Sequence, residues 1–188
     1  RKRSGDIKGR GCADGRPQRL YKSKAETSSP TATTESVFIT GLVDAQENRD
    51  VAVVDIPGAF LQTSASDGTV IKLQGVIVKM MLKINPTWSE YVVLEGPKQI
   101  PTIYSEAIKA LYGTVDAAKL FYDNLCGVLL DELGFKLNPY DGCVANKYIN
   151  NKQCTIVFHV DDLKISHVDK DVVTDIISKL QEKYGDII

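Results

Sequence analysis

Residues 154–167 read CTIVFHVDDLKISH. Residues 155–160 are mostly apolar and β-branched or aromatic, the composition of a buried strand. Two adjacent acids, Asp161 and Asp162, follow, and residues 163–166 have the pattern of a second short strand. Asp is a good turn former because its side chain bonds its own backbone. An Asp-Asp pair between two strands therefore reads first as a solvated turn at a hairpin tip. A larger role depends on what the rest of the chain brings beside it.

The neighbouring segments supply a sheet and helices. Residues 143–148 and 154–160 flank NNK, a hairpin signal. Residues 116–133 form a long amphipathic pattern with Leu120, Leu125, Leu129 and Leu133 on or near one face, and Gly134 closes it. Residues 172–184 predict a last helix with Val172, Ile176, Ile177 and Leu180 inward. Upstream, DVAVVD at 50–55 reads as a buried strand ending in Asp55 and broken by Pro57 and Gly58. Thr33 or Thr34 can cap a helix carrying Val37, Phe38, Leu42 and Val43 and ending near Asn48. Between these lie a strand at 70–73, a helical segment at 74–84 stopped by Pro86, and a hairpin of 91–94 with 99–103 around EGPK. Ser105 is the expected cap of a short helix over 105–111. The order of elements predicts an α+β fold, an antiparallel sheet with helices on one face.

The chain has 188 residues, enough for one domain with a real core or for a domain with a small subdomain. No apolar run approaches the length of a membrane helix, and no apolar segment follows the basic N-terminus as a signal peptide would require. The first residue is Arg1, and the chain reads as a piece of something longer. Cys12, Cys126, Cys143 and Cys154 are not in CxxC spacing, and three of them sit inside apolar patterns. Buried, reduced thiols in an intracellular protein are expected. A zinc site from Cys143, Cys154, His159 and His167 would need spacings of 11, 5 and 8, which match no usual zinc module. Charge is uneven: residues 1–24 hold nine Lys/Arg and two acids, a net of +7, leaving −8 for the remainder of a chain whose total is −1. A basic arm on an acidic body suits a polyanion partner, although such runs are also common as solvated tails.

Asp55, Asp161 and Asp162 all fall at strand ends. If their strands are neighbours, three carboxylates meet at one edge of the sheet. Two unit charges about 4 Å apart repel by roughly 4 kcal/mol at an effective dielectric of 20. A divalent cation offsets that repulsion, and hard oxygen ligands select magnesium or manganese over zinc. Two such ions can clamp the attacking and leaving oxygens of a phosphoryl transfer.

VVDIPGAFLQ at 53–62, KALYGTVDAAKLFY at 109–122, NPYDGCVANK at 138–147 and FHVDDLKISH at 158–167 occur in that order. Together they resemble the successive motifs of the reverse transcriptase of copia-type LTR retrotransposons. IKGRGCADGRPQR at 7–19 and ETSSP at 26–30 resemble that family's upstream fingers segment, so the resemblance covers nearly the whole chain. It implies an antiparallel polymerase palm with an RRM- or ferredoxin-like core at 50–188, a fingers-side insertion at about 69–104, and a partial fingers segment at 1–49. No thumb or ribonuclease H segment is recognisable.

Residue by residue, the resemblance implies catalytic and metal-binding roles for Asp55, Asp161 and Asp162, with Asp161 the more direct ligand and the Ile56 carbonyl a further one. The cofactor would be two Mg2+ or Mn2+ ions. Phe60 matches the aromatic steric gate against a 2′-hydroxyl; by itself it would read as core. The backbone of Gly58, Ala59 and Phe60 would approach the triphosphate, and Lys8 and Arg10 would present basic side chains to it. Gly113 would let backbone come close to the nucleotide; otherwise it is a helix-breaking turn. The implied partners are an RNA or DNA template-primer, deoxynucleoside triphosphates and the remainder of a Pol polyprotein (thumb, ribonuclease H, integrase), with no membrane. The implied location is cytoplasmic, in retroelement particles. An inactive or repurposed remnant and a non-catalytic RRM-like module are the rival readings; for the second, Phe158 is the one aromatic near the right place.

The chain also departs from the family pattern. LYGTVDAAKLF stands where LYGLKQAPRxW is usual. Asp116 would weaken nucleotide binding if it pointed inward, and would be favourable as the N-terminal acid of the following helix. His159 replaces the usual tyrosine, and strand alternation would place it on the same face as Asp161.

Overall fold

The computed structural model describes residue 9 and residues 11–187. In chain order the elements are α1 (Lys24–Thr27), α2 (Thr34–Gln46), β1 (Asp50–Asp55), β2 (Val70–Gln74), α3 (Val76–Ile84), β3 (Val93–Glu95), β4 (Ile100–Glu106), α4 (Ala117–Gly127), β5 (Lys136–Leu137), β6 (Val144–Ile149), β7 (Lys152–His159), β8 (Asp162–His167) and α5 (Lys170–Tyr184). The fold is α+β with two antiparallel sheets, one of five strands in the order β1-β8-β7-β6-β5 and one of three in the order β2-β4-β3. Among the described residues no helix is long and apolar enough to cross a membrane.

The larger sheet carries the core. Val54, Ile156, Phe158, Leu163 and Ile165 alternate onto one face and pack with Phe121, Leu125 and Leu129 of the α4 region and Val173, Ile176 and Leu180 of α5. At about 1.5–3 kcal/mol for each large side chain removed from water, this cluster dominates the stability of the domain. α4 does not run on as regular helix: residues Val128–Glu132 form a π-helical turn, which ends before Gly134 at φ +71°. The buried thiols belong to the same cluster, and burial pushes Cys154 up to about 11 and Cys143 up to about 12. Only Cys12 is exposed.

Two expectations are corrected here. The helices are not confined to one face. Lys164 of β8, whose neighbours Leu163 and Ile165 face α4 and α5, points the other way and bonds Thr40 and Asp44 of α2. Thus α2 lies across the opposite face, with Phe38 and Leu42 left exposed. Residues 105–111 do not form a helix either. β4 continues to Glu106, which pairs with Val70, and Lys109 then bridges to Ser64. Cross-strand pairing with β2 outweighs the local capping signal of Ser105.

Polar clamps fix the connections. Thr33 caps α2 and is held in turn by Asp141, whose carboxylate accepts from the Thr33 N–H and hydroxyl at 3.0 Å and from the Cys143 N–H at 2.9 Å. Burial opposes that charge, but hydrogen bonds from Ser36, Thr33 and Cys143 outweigh it and hold the Asp141 carboxyl below its ordinary value. Both nitrogens of buried His167 lie near main-chain groups, Nδ1 accepting from the Asp169 N–H at 3.0 Å and Nε2 lying 3.3 Å from the Ile149 carbonyl.

Candidate active site

β1 and β8 are adjacent, and their register sets Asp55 directly across from Asp162. The Ile56 N–H donates to the Asp161 carbonyl at 2.9 Å, which continues the ladder one step past the strand ends. Ladder pairs alternate, so Asp55 and Asp162 form a non-hydrogen-bonded pair, the kind with Cα atoms only about 4.5 Å apart and side chains close. Three carboxylate-bearing residues therefore sit at one corner of the larger sheet. Asp55 and Asp161 are half-buried and Asp162 is exposed. Among the described residues, none of the ion pairs involves these three carboxylates. The side chains are not drawn into a closed cage: among the described residues no three His, Cys, Asp or Glu groups stand as a ready metal cluster.

The turn is shifted by one residue from the sequence reading. His159 pairs with Asp162, so Val160 and Asp161 are the two central residues, and Asp162 already belongs to β8. Val160 has φ +57° and Asp161 is not in the positive region, the signature of a type II′ turn. A β-branched residue is strained there. The turn also breaks strand alternation, so the expected sharing of a face by His159 and Asp161 does not hold. His159 is instead the cross-strand neighbour of Asp162, and both are exposed.

The chain leaves β1 through Pro57 and Gly58, the latter at φ +64°, a left-handed conformation glycine adopts without penalty. A 3-10 turn, Ala59–Gln62, follows. Ala59 is fully buried, and Gln62 ties the turn to α5 by donating to the Tyr184 carbonyl at 3.1 Å. Phe60 is half-buried, its ring centroid 4.6 Å from that of Tyr112 and 6.5 Å from that of Phe121. One side of this ring is thus pinned by other aromatics just after Asp55.

Gly113 has φ +93°, and a Cβ on it would lie 2.0 Å from the Ala13 carbonyl oxygen and 2.6 Å from Cys12 Sγ. Gly15 in turn lies so close that a Cβ there would be 2.2 Å from the Gly113 oxygen. The Ala13 N–H donates to the Tyr112 carbonyl at 2.7 Å, and the Val115 N–H to Gln18 Oε1 at 3.0 Å. The close approach at Gly113 is therefore made by residues 12–15 of this chain, a requirement that sequence reasoning missed. Lys8 and Arg10 lie outside the described residues.

Asp116 stands at the N-terminus of α4, as one of the two sequence readings has it, and its side chain makes no capping hydrogen bond there. Its buried carboxylate accepts from Lys22 Nζ at 2.5 Å and from the Ser66 hydroxyl at 2.6 Å. Burial alone would raise its pKa, but the Lys22 and Ser66 bonds hold it below the ordinary carboxylate value. Lys22 is thereby committed to the interior, so this part of the basic arm is structural, whereas Arg16 pairs with Asp14 at 2.7 Å on the surface.

The family profile described as reverse transcriptase (RNA-dependent DNA polymerase) matches residues 1–186, nearly the whole chain. The chain belongs to the reverse transcriptase family. No curated protein and no solved structure gives a match. A reverse transcriptase domain works on a nucleic-acid template with nucleotide substrates, and the corner at Asp55, Asp161 and Asp162 brings together three carboxylate-bearing residues that no ion pair among the described residues neutralises.

Proposed function

We propose that the chain is the polymerase core of a copia-type reverse transcriptase, transferring deoxynucleotides to a primer under template direction. The observation that carries this is the pairing of Asp55 with Asp162, with Asp161 tied to Ile56, inside a chain of this family. In this reading the larger sheet is the palm, residues 1–49 are part of the fingers, and the smaller sheet is a fingers-side insertion. The remaining parts of a Pol polyprotein, thumb, ribonuclease H and integrase, would be its partners, and cytoplasmic particles its location.

The donor set suits two magnesium or manganese ions: it is all oxygen, and no described ion pair neutralises it. Asp55, Asp161, Asp162 and the Ile56 carbonyl would hold them. When bound, the ions supply Lewis acidity to the primer hydroxyl and to the charge on the transferred and leaving phosphates.

The protein's own residues do the positioning. The strained turn at Val160 holds Asp161 at the strand end. Phe60, braced by Tyr112 and Phe121, presents a ring where the sugar of the incoming nucleotide would lie, leaving no room for a 2′-hydroxyl. The backbone of Gly58 and Phe60, and of Ala59 once its burial is relieved, would offer N–H donors to the triphosphate, as Lys8 and Arg10 would offer charge. Asp116 does not oppose this, since its carboxylate is consumed by Lys22 and Ser66. Template-primer would lie across the sheet, held through its backbone.

The test is primer extension on an RNA template with Mg2+ or Mn2+, using this chain and a version extended downstream. Metal-dependent incorporation supports the reading. Absence of incorporation by both forms would assign the chain to an inactive remnant.

A further inference from the structure

We propose that Asp44 is a positioning residue for the metal site: it holds the Lys164 ammonium away from the catalytic carboxylates. This rests on the two-metal reading above.

Lys164 follows Asp162 by two residues in β8, so the two side chains emerge on the same face. Its cross-strand partner is Val53, two residues before Asp55. Lys164 is thus the strand neighbour of Asp162 and the diagonal neighbour of Asp55, separations of about 7–8 Å that a long side chain spans. An unengaged ammonium here would settle on the same oxygens that a divalent cation needs.

α2 prevents this. Thr40 and Asp44 stand one helical turn apart and project from one face of α2. Lys164 Nζ lies 2.9 Å from Thr40 Oγ1 and 2.6 Å from Asp44 Oδ2. The Asp44 side chain is only 7% exposed and Lys164 is 20% exposed. Arg49, 2% exposed, stands 3.8 Å from Asp44 Oδ1 and directs its hydrogen bonds to Glu47 and Thr155 instead. Asp44 Oδ1 itself makes no hydrogen bond among the described residues. Among the described residues, the one short, hydrogen-bonded contact of this buried carboxylate with a cation is therefore the one to Lys164. The local charges of Asp44, Glu47, Lys164 and Arg49 balance among themselves, and no ion pair among the described residues engages the carboxylates at the sheet corner.

The test measures Mn2+ binding directly, with no nucleotide or template present, from the electron paramagnetic resonance signal of free Mn2+ titrated into the full chain. Asp44→Asn should weaken Mn2+ binding roughly three- to tenfold, the scale of one additional competing charge near a surface. Asp44→Asn combined with Lys164→Gln should restore it, because the competitor is gone. Thr40→Val, at a half-exposed position, should act in the same direction with a smaller effect and covers the case in which Asp44→Asn does not fold. Asp161→Asn is the control on the underlying reading. If it leaves Mn2+ binding unchanged, the two-metal reading itself fails. If Asp161→Asn weakens binding while Asp44→Asn and Thr40→Val do not, or if the double variant is not restored, the shielding role of Asp44 is overturned and its contact with Lys164 serves only to dock α2.

Discussion

Asp55 of β1 and Asp162 of β8 are direct cross-strand partners, although like charges facing each other destabilise a strand pair. The chain accepts that arrangement at the corner where Ile56 also bonds the Asp161 carbonyl, and it assigns Lys164, the strand neighbour of Asp162, to Asp44. A fold tuned for stability alone would neutralise this corner. What holds the carboxylates in place is the hydrophobic core beneath them, in which Val54, Ile56 and Leu163 are buried.

Gly113→Ala should be severe. The added methyl would meet main-chain atoms of Ala13 and the Cys12 sulfur, and a positive φ disfavours any side chain. A loss of about 3 kcal/mol or more of unfolding free energy is expected, by overpacking added to backbone strain. Urea denaturation measures it, and limited proteolysis should cut residues 11–21 faster. A loss below about 1 kcal/mol would mean that the segment does not pack on Gly113.

The Lys22–Asp116 pair predicts a pH dependence. The folded-state pKa of Asp116 is lowered, so its stabilising contribution is present above the ordinary carboxylate value and is lost as pH falls through the folded value. Asp116→Asn leaves Lys22 buried without its partner and should cost about 3–5 kcal/mol at neutral pH. The gap between wild type and variant should close as pH falls below about 4. Asp141 is lowered in the same direction, so the variant keeps part of the acid sensitivity. A gap that does not change with pH would contradict the pairing.

The thiols give a simple check on the core. Cys12 is exposed and the other three are buried, with Cys154 and Cys143 pushed up to about 11 and about 12 by burial. Iodoacetamide at pH 8 should add one group to the folded chain and four after denaturation, read by mass spectrometry. Two or more rapid additions to the folded chain would contradict the buried assignment.

Much of this fold is legible in the sequence because it is written in local signals. Short apolar runs rich in β-branched residues mark β1, β7 and β8, Thr33 marks the start of α2, and Gly134 marks the end of the α4 region. Residues 105–111 were misread because Ser105 resembles a helix cap while its fate is decided by pairing with β2, far away in the chain. The hairpin tip slipped by one residue because two acids look like turn formers, whereas the turn is built from Val160 and Asp161. The partners of Asp116 and Lys164 were not legible at all. Each bond joins residues about a hundred positions apart, and nothing in either neighbourhood names the other.

Phe60→Ala should raise incorporation of ribonucleotides relative to deoxynucleotides by about tenfold or more, since it removes a ring braced by Tyr112 and Phe121. Single-nucleotide extension with each substrate measures the ratio. An unchanged ratio would return Phe60 to a purely packing role.

The most direct measurement is Mg2+-dependent primer extension on an RNA template by the downstream-extended chain, with Asp55→Asn and Asp161→Asn compared in parallel. Both variants should keep the wild-type circular dichroism, with a thermal midpoint at or above that of wild type, because each relieves repulsion at the sheet corner. Both should lose incorporation by at least about 100-fold, the scale of removing a group that stabilises transition-state charge. Incorporation that survives either substitution at near wild-type rate would contradict the assignment of this corner as the polymerase site.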